Sequence, residues 1–422
     1  MCISLFKRVF TAGVIYCLAV NAAFSTPLSE TNKNLAWQRW LKNQIELHPD
    51  VIAAKQQLKA RLSLADGRSQ PLYNPELETE FERLDNTNNY RLGISQTLDI
   101  WDKRGNRRQQ ADFIRLAAKQ AYLQTYQQKL AEALSVLTTY QASKARFLLA
   151  QQQEQQINTL FTLIQNRQQA GDLGQVEVNF SLASLAQRLN ETALAMADFR
   201  RAEAQAQELF SNFPSDKSVI PTQLWQVTTG SIVDKPLSET VDSHPRVLLA
   251  KAQWDVEKEA AELARLDTKA DPTLGINTGR DGDEDIVGLS FSIPLNVRNN
   301  FSAERRAADE QALAAEAAYL ATRRQQQYQI QATANIAQQY QKKLQRLKFL
   351  LQQSNEESLT LLEQQWQTGD LGTNEYLIAL QQNMVGALSG IELQEKLQLA
   401  VIDWLKASGQ VTTRILPPGS SD

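Results

Sequence analysis

Two hydrophobic periods alternate along this chain, and each occurs twice. The first is helical. Leu116, Leu123, Leu130 and Leu137 recur every seventh residue, and Ala337, Tyr340, Leu344, Leu347 and Leu351 advance in steps of three and four. Both are seams along which long helices pair. From Arg104 to Gln169 there is no proline, and the one glycine is Gly105 at the start. A helix over 104–169 would run about 100 Å, too long to bury itself in one globule; 303–367 predicts a second of nearly equal length. Ala117, Ala118, Ala121, Ala314, Ala315, Ala317 and Ala318 leave room for close helix approach, and the other faces carry Gln, Arg, Lys and Glu.

The second period is two. Leu77, Thr79 and Phe81 alternate with glutamates; Tyr90, Leu92, Ile94, Gln96, Leu98 and Ile100 alternate with polar or small residues. Leu274, Ile276 and Thr278 repeat the pattern, followed by Val287, Leu289, Phe291 and Ile293. Turn-forming runs at 85–89 and 281–285 separate the members of each pair. The spacing predicts two β-hairpins, over 75–100 and 273–295, each strand with one apolar and one polar face. Each strand approaches the ~9–11 residues that cross a bilayer when tilted.

The two periods belong to one duplicated unit. His48-Pro49-Asp50-Val51 returns as His244-Pro245-Arg246-Val247, and Tyr90 to Ser95 aligns with Asp285 to Ser290. Arg107-Arg108 returns as Arg305-Arg306, and Gln169-Ala170-Gly171-Asp172-Leu173-Gly174 as Gln367-Thr368-Gly369-Asp370-Leu371-Gly372. The separations are 196, 195, 198 and 198 residues. The first unit spans 23–230 and the second 231–422. Each opens with a helix, roughly 35–66 and 245–270, and His before Pro reads as a helix start. After the hairpin and the long helix, Gly171 and Gly369 suit the left-handed conformation that stops a helix. Asp172 or Gly174, and Asp370 or Thr373, are positioned to cap return helices over 175–210 and 374–407. A return helix covers about half of the outgoing one, so the opening helix is the natural cover for the rest. Pro214, Pro221 and Pro236 interrupt the connector, and the tail after Gly409 reads as irregular. The fold class is mainly α with a small β part.

Composition narrows the function. The 422 residues carry 44 basic and 47 acidic side chains, a net charge of -3 without a basic face for nucleic acid. Mean hydropathy is -0.40, and after residue 24 no run approaches a membrane-spanning helix. Lys7 and Arg8, the apolar run Val9–Val20 and a Val20-x-Ala22 exit predict a signal peptide over 1–22. Both cysteines, Cys2 and Cys17, lie in that segment, so the exported chain would hold no disulfide or thiolate metal site. Val14-Ile15-Tyr16 before Cys17 is a poor lipidation context. No nucleophile elbow, phosphate loop, dinucleotide fingerprint or zinc pattern is present. The reading is of a non-enzyme without cofactor or metal.

Four strands cannot close a pore, and an open sheet in lipid would leave backbone groups unpaired. Three copies supply twelve strands, within the even range of such barrels. A secreted periplasmic scaffold, adaptor-like and without a pore, is the alternative; it has no need for four bilayer-length alternating strands.

Several short motifs carry a family resemblance: Asn74-Pro75-Glu76-Leu77, Gln96-Thr97-Leu98, Asp102-Lys103-Arg104, Arg107-Arg108, Asp271-Pro272, Ser292-Ile293-Pro294-Leu295, Arg298-Asn299-Asn300 and the two Gly-Asp-Leu tips. Through them nearly all of the exported chain resembles the TolC-like outer-membrane factor family, most closely the outer-membrane component of cobalt–zinc–cadmium-type cation efflux systems. The resemblance implies a homotrimer in outer-membrane lipid, with a twelve-stranded barrel and a twelve-helix periplasmic tunnel. It implies a periplasmic adaptor and an inner-membrane pump of the RND type as partners. It also implies adaptor docking at the tips: Arg167, Gly171, Asp172, Leu173 and Gly174 in the first unit, Gln365, Gly369, Asp370, Leu371 and Gly372 in the second. The family's Arg-x-x-x-Gly-x-x-Ser/Thr pattern is met at Arg167 and Gly171. It is broken at Gln365 and at the two Ser/Thr positions, Gly174 and Gly372. Asp172, Glu177, Asp370 and Glu375, repeated threefold, would ring a tunnel entrance with acids that favour cations; helix capping explains the same residues. Trp101 suits an interfacial aromatic belt or ordinary packing.

Overall fold

The computed structural model describes residues 27–84, 87–171, 174–210, 213, 220–221, 236–353 and 356–416. The leader with Cys2 and Cys17, Asp85 and Asn86 of the first turn, Asp172 and Leu173, most of the connector with Pro214, and the tail from Pro417 lie outside them.

The first repeat comprises helices α1 (Pro27–Glu46) and α2 (Pro49–Ser69), strands β1 (Glu76–Leu84) and β2 (Thr87–Thr97), and helices α3 (Lys103–Ala170) and α4 (Gln175–Leu209). The second comprises α5 (Leu237–Asp242), α6 (Pro245–Asp267), β3 (Thr273–Asp281), β4 (Glu284–Ser292), α7 (Ser302–Gln353), α8 (Glu356–Thr368), α9 (Thr373–Ala407) and α10 (Val411–Ile415).

The opening segment 35–66 is not one helix. Pro49 lacks an N–H and clashes with a preceding helical turn, so the chain breaks at Leu47-His48 and restarts at Pro49. The duplicated break falls between α5 and α6, where the His244 ring nitrogen Nδ1 accepts the Arg246 N–H at 3.1 Å. Both histidines therefore stand at helix starts. Helix α3 holds 68 residues without interruption. It begins where the Asp99 carboxylate accepts the Lys103 and Arg104 N–H groups at 2.9 and 2.7 Å.

Two compact units interleave along the sequence, and each takes parts of both repeats. One consists of residues 49–126 and 235–329; the other gathers the N-terminal segment to His48 with 127–234 and 330–422. Helices α3 and α7 contribute to both.

The first unit contains one four-stranded antiparallel sheet in the order β1-β2-β3-β4. The strands end at Thr97 and Ser292, short of the expected Ile100 and Leu295. Leu98 makes one further bond, its N–H to the Pro272 carbonyl at 2.9 Å, after which Asp99 turns into its cap; Pro294 cannot donate at all. The hairpins close between Leu84 and Thr87 and between Asp281 and Glu284, a separation of 197 residues. Counted from these turns, Tyr90 corresponds to Val287. The alignment of Tyr90 with Asp285 is therefore two residues out, because similar Gly-x-Ser runs occur on both strands.

The other unit is helical. Leu130, Leu134 and Leu137 of α3 are fully buried, as are Leu41 and Ile45 of α1 and Leu405 of α9. On α7, Ala337 and Leu344 are buried, while Tyr340 and Leu347 are half-buried, so the seam forms; Leu351 carries no described side chain. Trp40 of α1 packs on Phe210 at the end of α4, with ring centroids 5.3 Å apart. The opening helix thus continues the cover where the return helix stops.

Candidate functional site

Two regions bear on function, one in each unit. In the sheet, cross-strand pairing puts Leu77, Phe81, Tyr90, Leu92, Ile94, Ile276, Val287 and Leu289 on one face. That face is open: Leu289 is 85% and Val287 78% exposed. A contiguous apolar surface of this kind marks a contact with protein or lipid. The opposite face carries Glu76, Glu78, Glu80 and Glu82 of β1 and small or polar residues elsewhere. There the Ser95 hydroxyl donates to Glu78 at 2.9 Å and Arg91 pairs with Glu80 at 3.1 Å. The outer edges of β1 and β4 pair with no strand among the described residues.

Below the sheet, the buried Lys103 ammonium lies 2.9 Å from Asp271 and donates to the Lys269 carbonyl at 2.8 Å. The Tyr73 hydroxyl donates to the same Asp271 carboxylate at 2.7 Å. Burial, then this hydrogen bond to an anion, pushes the Tyr73 phenol up to about 12. Trp101 follows the strand rather than ending it. Its indole N–H donates to the Ala270 carbonyl at 2.9 Å, and Lys269 sits 4.5 Å from its ring centroid. Asp102-Lys103-Arg104 and Asp271-Pro272 thus meet in space: the start of α3 is clamped to the segment that leads from α6 into β3 of the other repeat.

At the tips, Gly171 and Gly369 take φ of +82° and +84°, the left-handed stop expected of them. Gly174 caps α4 and Gly372 caps α9. Asp370 and Thr373 are not caps. Thr373 is already helical, and the Asp370 carboxylate accepts the Thr368 hydroxyl at 2.7 Å. Glu375 instead reaches back to the Gly372 N–H at 3.3 Å. Gly171, Gly174, Gln365, Gly369, Asp370, Gly372 and Glu375 are exposed, Leu371 and Glu177 half-buried. Asp172 and Leu173 lie outside the described residues; of the four acids expected at the entrance, Glu177, Asp370 and Glu375 are described. Among the described residues no three His, Cys, Asp or Glu side chains converge as a metal site.

Arg167 turns inward. It donates to the Trp366 carbonyl at 3.2 Å and stands 4.9 Å from the Trp366 ring centroid. Trp366 stacks on Tyr376 with centroids 4.5 Å apart and planes 5° from parallel. Leu160, Ile164, Val178, Leu185 and Leu377 complete this core, which joins the tip of α3–α4 to that of α8–α9. Buried Arg188 of α4 donates to the Leu377 carbonyl at 2.8 Å, and desolvation lowers its pKa. Sequence reasoning missed Trp366, Tyr376 and Arg188. The available signal was an aromatic, a phenol and a cation within one turn or a few turns of each tip, unmatched in the other repeat.

Residues 40–210 match the family described as outer membrane efflux protein. No curated protein matches the sequence. Solved structures match the fold over most of its length. The outer membrane channel CmeC of Campylobacter jejuni is 13% identical, with a TM-score of 0.71, over 92% of this chain and 89% of that one. CusC, described with conformational changes accompanying folding and transmembrane channel formation, is 14% identical at a TM-score of 0.70, over 88% and 92%. The chain has the fold of TolC-like outer-membrane channels. The MtrE outer membrane channel of Neisseria gonorrhoeae, in its open state, gives 14% identity and a TM-score of 0.70 over 88% of both chains.

Proposed function

We propose that the chain is the outer-membrane subunit of a tripartite efflux system, a passive exit duct. Three copies pair their sheets into a twelve-stranded barrel and their long helices into a periplasmic tunnel. The observation that carries this reading is the open sheet: it exposes one apolar face, presents a glutamate-lined polar face and leaves two edges free. In lipid, unpaired edges cost several kcal/mol per group (about, per unsatisfied N–H or C=O), so the sheet closes only with further copies. Among the described residues no helix is long and apolar enough to cross a membrane.

In this reading the tips receive a periplasmic adaptor and an RND-type pump supplies the energy. The exposed tip residues, Gln365, Gly369, Asp370 and Gly372 with Gly171 and Gly174, offer the docking surface; Arg167 contributes by holding Trp366. Heavy-metal cations are the proposed cargo, supported by the sequence motifs. The purified full chain should give stepwise conductance in planar bilayers, and a deletion strain should become sensitive to cobalt, zinc or cadmium salts. A deletion strain sensitive only to organic toxins would overturn the cargo while leaving the duct intact.

A further inference from the structure

The internal duplication bears on how one copy would pair with the next. Besides the hairpin closures, Asn74-Pro75 and Asp271-Pro272 lie 197 residues apart, as do Ser95 to Leu98 and Ser292 to Leu295. By this spacing β4 is the counterpart of β2, and β1 of β3. The seam between β2 and β3, where the repeats meet inside one chain, is therefore a template for the seam between β4 of one copy and β1 of the next. In the template Tyr90 faces Arg280, Leu92 faces Thr278, Gly93 faces Asn277 and Ile94 faces Ile276.

Building on the channel reading, we propose that β4 pairs antiparallel with the partner's β1 in one register, with Ser290 opposite the partner's Glu80. Leu289 then faces the partner's Phe81, and Val287 faces the partner's Arg83 as Tyr90 faces Arg280. The Leu295 N–H donates to the carbonyl of the partner's Pro75, as Leu98 does to Pro272. Leu289 and the partner's Phe81, and Ile293 and the partner's Leu77, meet on the lipid face, and a one-residue slip would invert that face along the whole seam. On the polar face the Ser290 and Ser292 hydroxyls meet the partner's Glu80 and the partner's Glu78, a serine-to-glutamate contact of the kind that Ser95, which stands opposite Glu76, makes diagonally with Glu78.

Barrel geometry supports this register against the flatter of its two neighbours, and the strand spacing of the duplication supports it against the steeper one. Glu80 pairs with Arg91, Arg91 with Gly279 and Gly279 with Ile286; Ile286 then meets the partner's Leu84, a climb of about four residues per copy. With a rise of ~3.4 Å per residue and strands ~4.8 Å apart, three such climbs around twelve strands tilt them by about 35°. Membrane barrels tilt by roughly 35–45°. A two-residue slip flattens the tilt to about 20° in one direction and steepens it to about 47° in the other. The counterpart of Asp271 at the new seam is Asn74, so the lone copy does not expose half of a buried ion pair before assembly.

Cysteine pairs in the full chain test this. Ser290→Cys with Glu80→Cys, and independently Ser292→Cys with Glu78→Cys, should oxidise in outer membranes to covalent trimers. Ser290→Cys with Glu78→Cys, with Glu82→Cys or with Thr79→Cys should give at least tenfold less. Dominant cross-linking by one of those slipped pairs would overturn the register while confirming the trimer. No cross-link from any pair, with single-chain mass in detergent, would instead overturn the channel reading and the register with it.

Discussion

Arg188 on α4 donates from Nη2 to the Leu377 carbonyl on α9 at 2.8 Å, and only 6% of the arginine is exposed. A buried guanidinium spent on a neighbour's backbone ties the first tip hairpin to the second. Arg188→Ala should destabilise this end by about 1–3 kcal/mol, because the Leu377 carbonyl loses its added partner and a cavity opens. Hydrogen exchange should show faster opening of amides near 376–381. Arg188→Lys should rescue little, since a point ammonium lacks the planar fork.

Tyr376, in the same core, has its phenol pushed up to about 12, first by burial and then by the negative charge of Glu363. Tyr73 is raised to about 12 in the other unit. An unfolded tyrosine titrates near ~10. The folded state therefore holds these protons more tightly, and stability present below pH ~10 drains away as pH rises toward ~12. Chemical denaturation across that window should show the loss. Tyr376→Phe and Tyr73→Phe should each flatten it, and an unchanged slope in both would contradict the assignment.

The Lys103–Asp271 pair is 2.9 Å long, with both side chains almost wholly buried. Removing one partner strands the other charge, so Lys103→Ala or Asp271→Ala should cost about 3–5 kcal/mol. The double change to Lys103→Met with Asp271→Leu should cost less than either single one. Thermal unfolding of the three variants checks the order.

Two glycines should respond in opposite directions. A Cβ at Gly279 would sit 2.1 Å from the Tyr90 carbonyl oxygen, inside the β2–β3 seam, whereas one at Gly390 in α9 would meet nothing within 4 Å. Gly279→Ala should lower the yield of folded protein in the membrane. Gly390→Ala should raise stability by about 0.5–1 kcal/mol, the ordinary helix preference for alanine.

The helices and strands were legible because each rests on local signals. The long proline-free runs, the alternation around Leu77 and Leu289, and the glycines at Gly171 and Gly369 all act within a turn or two of themselves. What escaped was pairing at a distance. Lys103 and Asp271 were visible as motifs, yet 168 residues separate them and nothing local says that they touch. Arg167 matched a docking pattern, but its orientation depends on Trp366, which the sequence places 199 residues away. Asp370 has the side chain of a cap, but α9 begins at Thr373 with Gly372 as its N-cap, and the Asp370 carboxylate accepts the Thr368 hydroxyl instead.

The most direct test is the mass of the assembly extracted from the outer membrane in mild detergent. Three chains per particle, collapsing to one on boiling, is the expected result. A single-chain mass, with the protein recovered from the soluble periplasmic fraction, would contradict a trimeric outer-membrane duct.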